Sequence, residues 1–152
     1  MGEKFIHVKR IHTLKNSIFY SLIHYKNEIL GFGRRYYGEE RVVKQVKLSN
    51  NLDIIEDKSV LFRGEDPRCF IYKDRLYILD NYFNDMHLID YETKKSIKIN
   101  ASGKNLSFIE HNDKLYFIHY IKPFHLYTFD INNGAITKVD VIDDKRHYNL
   151  EY

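Results

Sequence analysis

The sequence predicts an all-β fold: a partial β-propeller of about three four-stranded antiparallel blades, with little helix. Three observations predict it. A short pattern recurs at propeller spacing, aromatic and branched residues gather in short runs, and no window repeats apolar residues at three- and four-residue intervals.

The recurring pattern is an aromatic ring, two polar turn residues, one charged residue and an apolar strand. It stands at Tyr25-Lys26-Asn27-Glu28-Ile29-Leu30, at Tyr72-Lys73-Asp74-Arg75-Leu76-Tyr77 and at His111-Asn112-Asp113-Lys114-Leu115-Tyr116. The first two copies start 47 residues apart and the third follows 39 later, matching a blade period of roughly 40–50 residues. Each copy reads as a hairpin. Asn and Asp side chains mimic backbone turns and tolerate left-handed geometry. Strand-like runs surround these turns at Ile18 to His24, Leu76 to Asp80, Leu115 to Tyr120 and Leu126 to Phe129. Asp90-Tyr91-Glu92-Thr93 and Asp130-Ile131-Asn132-Asn133-Gly134 supply a second turn in the later repeats. Strand, turn, strand, strand, turn, strand is the meander of a blade.

Residues 1–152 are expected to form a single domain, with blade-like repeats near 5–60, 61–104 and 105–145. Apolar residues make up 43% and charged residues 30%, which suits a globular core under a solvated surface. Thirteen Tyr and ten Phe favour strands, and two Pro with seven Gly argue against low complexity. The net charge of +3 permits a phosphate-bearing partner without demanding one. The lone Cys69 forms no internal disulfide and fits a reducing compartment. No apolar run is long enough to span a membrane and Met1-Gly2-Glu3-Lys4 does not open a signal peptide, so a cytoplasmic location is expected. Propellers close with about four to eight blades. Three blades imply a fragment, another mode of closure, or association through open blade edges.

The densest chemistry lies at Arg63-Gly64-Glu65-Asp66-Pro67-Arg68. Gly64 permits a sharp turn or a close approach, and Pro67 is expected to hold Asp66 extended. In an extended segment Glu65 and Asp66 face opposite ways, so one meets a ligand while the other pairs with an arginine. From charge alone the stretch is a loop with internal salt bridges.

The stretch also resembles the Gly-x-Glu-Asp-Pro-Arg motif of glycoside hydrolase family 130, the β-mannoside phosphorylases and related mannosidases, which are five-bladed propellers. Asn16-Ser17-Ile18 through Phe32-Gly33-Arg34 is similar to the family's first-blade strand pair. Lys104-Asn105-Leu106-Ser107-Phe108 with Leu115 to Tyr120 is similar to its third-blade segment. The resemblance covers roughly residues 14 to 135. It implies inverting cleavage of a β-mannosidic bond, with Asp66 as the acid and inorganic phosphate as co-substrate; it implies no other cofactor. Lys104 and His119 match the phosphate contacts, and Arg34, Glu65, Arg68 and Asn105 are the expected substrate contacts. Related furanosidase families also place an Asp-Pro pair on the second blade. Leu106 stands where the family commonly has Trp, so an aromatic sugar platform is missing there, and blades four and five have no counterpart.

Other chemistries have less behind them. Eight histidines lack close metal-ligand spacing, and no metal site is expected. Arg34-Arg35-Tyr36-Tyr37 comes without a nucleic-acid recognition motif, and neither nucleic acid nor membrane is an expected partner. Gly31-Phe32-Gly33 is no phosphate loop. Two functional classes survive: a family 130-like carbohydrate-active enzyme acting on an oligosaccharide, and a non-catalytic propeller-type glycan-binding or protein-interaction module.

Overall fold

The computed structural model of the protein describes residues 17–82, 85–101, 106–120 and 125–139. Among them, twelve strands form three four-stranded antiparallel meanders. The first sheet holds β1 (Ile18–Tyr25), β2 (Glu28–Tyr37), β3 (Glu40–Leu48) and β4 (Ile54–Arg63). The second holds β5 (Arg68–Tyr72), β6 (Arg75–Tyr82), β7 (Asp85–Asp90) and β8 (Ser96–Ile99). The third holds β9 (Ser107–His111), β10 (Lys114–Tyr120), β11 (His125–Phe129) and β12 (Ile136–Val139). The expected all-β, blade-like architecture is what forms, and the described sheets do not close into a ring. No helix among the described residues is long and apolar enough to cross a membrane.

Each repeat is the two-residue hairpin that its turn chemistry calls for. Lys26 and Asn27 have φ of 47° and 62°, Lys73 and Asp74 48° and 58°, Asn112 and Asp113 49° and 59°. Two successive positive φ values make the turn whose twist matches that of the flanking strands. Asp90 and Asp130 build the second turns alike. The Asp90 carboxylate accepts the Glu92 and Thr93 amides at 3.0 and 2.8 Å, and that of Asp130 accepts the Asn132 amide at 2.9 Å. The long strands β3 and β4 fall outside the runs that composition picks out; Lys44, Gln45 and Lys47 interrupt the valines of β3.

The sheets stack face to face, and β6 lies in the middle. Its even positions Leu76 and Ile78 join Tyr25, Leu30, Phe32 and Val43 of the first sheet in one apolar cluster. Its odd positions Tyr77 and Leu79 join Leu115, Phe117 and Phe129 of the third in another. Leu76 through Asn81 are consequently all buried, whereas β10 is buried only at alternate positions, Leu115 and Phe117. A tyrosine at the same repeat position crosses each junction. Tyr25 Oη donates to the Asp74 carbonyl at 3.4 Å and to Glu92 at 2.7 Å, and Tyr72 Oη donates to the Asp113 carbonyl at 2.9 Å. Strand β1 packs beside β5 and β5 beside β9. The first strands of the three sheets thus lie side by side, and the β4–β5 connection leads from the first sheet into this row at β5.

Candidate functional site

The connection from β4 to β5 is the Gly64–Pro67 loop. Its backbone is tied to both neighbours: the Gly64 amide donates to the Arg41 carbonyl at 3.0 Å, and the Asn81 amide donates to the Glu65 carbonyl at 3.2 Å. Beneath it lies the buried carboxylate of Asp80, which accepts the Glu65 amide at 2.8 Å. A Cβ at Gly64 would stand 2.3 Å from Asp80 Oδ1. Only glycine lets the carboxylate come this close. Burial is the main cause that pushes the Asp80 carboxyl up to about 7, with the Glu65 and Asp66 charges adding to it against the backbone hydrogen bonds.

On the other side of the loop Glu65 is buried, with the guanidiniums of two strands against it. Arg34 Nη1, from β2, lies 3.3 Å from Glu65 Oε2. Arg41, from β3, donates to the same oxygen, and this bond is the main cause that raises the Arg41 guanidinium above its ordinary value. A buried carboxylate needs such partners, because an unpaired charge cannot stay out of water. Arg34 Nη1 also stands 2.9 Å from Asp66 Oδ1. That oxygen is buried and in ion-pair range but accepts no hydrogen bond, and Arg34 Nε is buried and donates none.

The expected extended conformation of Asp66 is not what forms. Asp66 takes a φ of 49°, in the left-handed region. Proline disfavours the right-handed helical region before it, and Asp is among the few residues that enter the left-handed one readily. This kink turns Glu65 and Asp66 to the same arginine instead of to opposite faces.

The other sequence-predicted residues fall as follows. Arg68 is the first residue of β5, exposed and in register with Leu79. His119 lies late in β10, its ring edge-on to Tyr127 at 5.9 Å. Counted from the hairpins, His119 occupies in the third sheet the position of Asp80 in the second, so both stand at the same end of their sheets. Lys104 and Asn105 lie outside the described residues. Leu106, where the family resemblance expects Trp, is a fully buried core residue.

Sequence reasoning missed Arg41, Asp80 and Asn81. An Asp-Asn pair closing the apolar run Leu76 to Leu79 was the available signal, since a strand buried on both faces admits polar side chains only for a reason. Asn81 is 1% exposed, and neither Nδ2 nor Oδ1 of its side-chain carboxamide has a hydrogen-bond partner. Arg41 carried no signal. Among the described residues no group of His, Cys, Asp and Glu is arranged to hold a metal ion.

Fold and site together define a propeller-like all-β protein with a charged cluster at the junction of two blades. No family model matches the sequence, and no curated protein matches it. Solved structures do share the fold. One is a candidate glycoside hydrolase from Parabacteroides distasonis, with a TM-score of 0.54 and 12% identity over 81% of this chain and 52% of that one. The chain thus spans about half the length of that protein, and the likeness is one of fold.

Proposed function

We propose that the protein is carbohydrate-active, binding an oligosaccharide at the Arg34–Glu65–Asp66 cluster in the manner of the β-mannoside phosphorylases and hydrolases it resembles. The observation that carries this reading is the meeting of Arg34, from the first sheet, with Asp66 at 2.9 Å at the head of β5. It joins the two most motif-like segments of the sequence across the junction of the first and second sheets. The glycoside hydrolase-like fold of the solved neighbour supports the same theme.

In this reading Asp66 donates the proton to the departing glycosidic oxygen through a sugar hydroxyl, and phosphate attacks the opposite face of the sugar with inversion; water in its place would pass its proton to a second carboxylate. Arginine suits phosphate and carboxylate alike because its planar fork bonds two oxygens at once. Arg34 and Arg68 would hold sugar or phosphate oxygens, with His119, Lys104 and Asn105 completing the phosphate and sugar contacts. A second reading, a glycan-binding module without chemistry, is favoured by the pairing of Glu65 with two arginines, since those charges already hold one another.

Incubation with β-1,4-mannooligosaccharides, with and without inorganic phosphate, tests the proposal. Phosphate-dependent release of a mannose phosphate is the expected result for a phosphorylase, and phosphate-independent mannose for a hydrolase. Saturable binding without turnover assigns the module. The absence of both binding and turnover overturns the carbohydrate reading. Asp66→Asn separates the two classes: an enzyme loses turnover and keeps sugar binding, whereas an anchoring Asp66 loses stability with binding unchanged.

A further inference from the structure

A second feature beside the acidic loop points to how a sugar would lie there. Strand β1 breaks register against β2 between Ile18, opposite Arg34, and Ser21, opposite Phe32. The extra residue of this bulge belongs to Phe19 and Tyr20. Tyr20 turns inward over Gly33, where a Cβ would come within 2.8 Å of its ring. Phe19 is thereby thrown outward with a φ of 53°. A positive φ is a true outlier for a bulky aromatic residue, and such strain persists only where the surroundings impose it.

The ring so displayed is 61% exposed. It contributes to neither apolar cluster. The Arg34 guanidinium carbon lies 4.6 Å from its centroid and 5.4 Å from that of Tyr36, which is 51% exposed. Each of these partly exposed rings thus keeps one face on the arginine that holds Glu65 and Asp66 and leaves the rest of its surface to solvent. A bulge that re-aims one side chain toward a charged cluster is a device common beside binding sites. Apolar faces with a few fixed polar groups are also what a pyranose needs, because one sugar face is lined with C–H groups while its rim carries hydroxyls.

We infer that Phe19 and Tyr36 form a stacking platform for a pyranose ring whose hydroxyls meet Arg34 and Asp66, with Glu65 holding Arg34 from behind. The inference rests on the carbohydrate reading above and adds to it the subsite that orients the sugar. It supplies, from the first blade, the aromatic surface that Leu106 does not.

Binding of β-1,4-mannotriose, cellotriose and xylotriose to the full chain, followed calorimetrically and by backbone amide shifts, tests it. Phe19→Ala should weaken binding of whichever trisaccharide binds by about tenfold, while Phe19→Trp keeps it within about threefold. Phe19→Gly, which suits the positive φ and removes an exposed ring, should raise Tm while weakening binding as Phe19→Ala does. If Phe19→Ala binds as tightly as the parent while amides of Glu65 to Arg68 still shift, the platform is overturned and the carbohydrate reading stands. If Phe19→Gly lowers Tm, Phe19 is a packing residue and the platform is likewise overturned. If the parent binds none of the three sugars, both fall.

Discussion

At the scale of single residues, the loop is governed by one buried carboxyl that the motif itself does not contain. Asp80 supports the Glu65 amide from below, and its folded-state affinity for a proton lies well above the ordinary 3.8, at about 7. The folded chain therefore holds this proton over a pH range in which the unfolded chain has released it. Stability from this group is complete below the unfolded value and is lost as pH rises through about 7. Asp80→Asn keeps an acceptor for the Glu65 amide and removes the titration. Relative to the parent, the variant should gain roughly 2 kcal/mol between pH 5 and pH 8. That corresponds to a rise of about 4–8 °C in the Tm difference, measured by thermal melts at both pH values. Gly64→Ala addresses the same packing from the other side. Its methyl group would meet Asp80 Oδ1 at 2.3 Å, so urea unfolding should show a loss of about 1–3 kcal/mol. Cys69, by contrast, is quiet: burial raises its thiol, and Ser21 Oγ lies 2.9 Å from the sulfur.

At the scale of elements, the repeated tyrosine is what couples one blade to the next. Tyr72 Oη reaches the carbonyl of the third sheet's hairpin turn, as Tyr25 reaches that of the second. Tyr72→Phe keeps the ring and removes the hydrogen bond, so chemical denaturation should register about 1 kcal/mol of destabilisation. Tyr25→Phe should cost more, because the single proton of the Tyr25 hydroxyl goes mainly to the charged Glu92 carboxylate at 2.7 Å. His111 holds the equivalent place in the third sheet and is exposed. The hairpins are legible in the sequence, because two turn residues with left-handed preference leave the backbone few choices. Strands β3 and β4 are not. Their lysines, glutamates and glutamine mask the alternation, and Lys44 is buried in β3 through its ion pair with Asp57 at 2.7 Å.

At the scale of the whole molecule, burial separates a sheet with two neighbours from one with a single described neighbour. Leu88 of the middle sheet is wholly buried, whereas Ile109 of the third is 46% exposed. Leu88→Ala should cost about 2–5 kcal/mol, while Ile109→Lys should stay within about 0.5 kcal/mol, both read from denaturant midpoints. Fold class, repeat and hairpin turns followed from the sequence alone. Each is a local matter: propensity, period and turn chemistry act over a few consecutive residues. The motif around Asp66 was legible as a string, but its geometry was not. Pairing Glu65 and Asp66 with one arginine took a left-handed kink, Arg41 and Asp80 reached the loop only because separate strands run beside it, and Phe19 came to Arg34 through the bulge of β1. Those contacts join residues 15 to 32 positions apart through sheet register and stacking, which no local pattern encodes and only the folded chain decides.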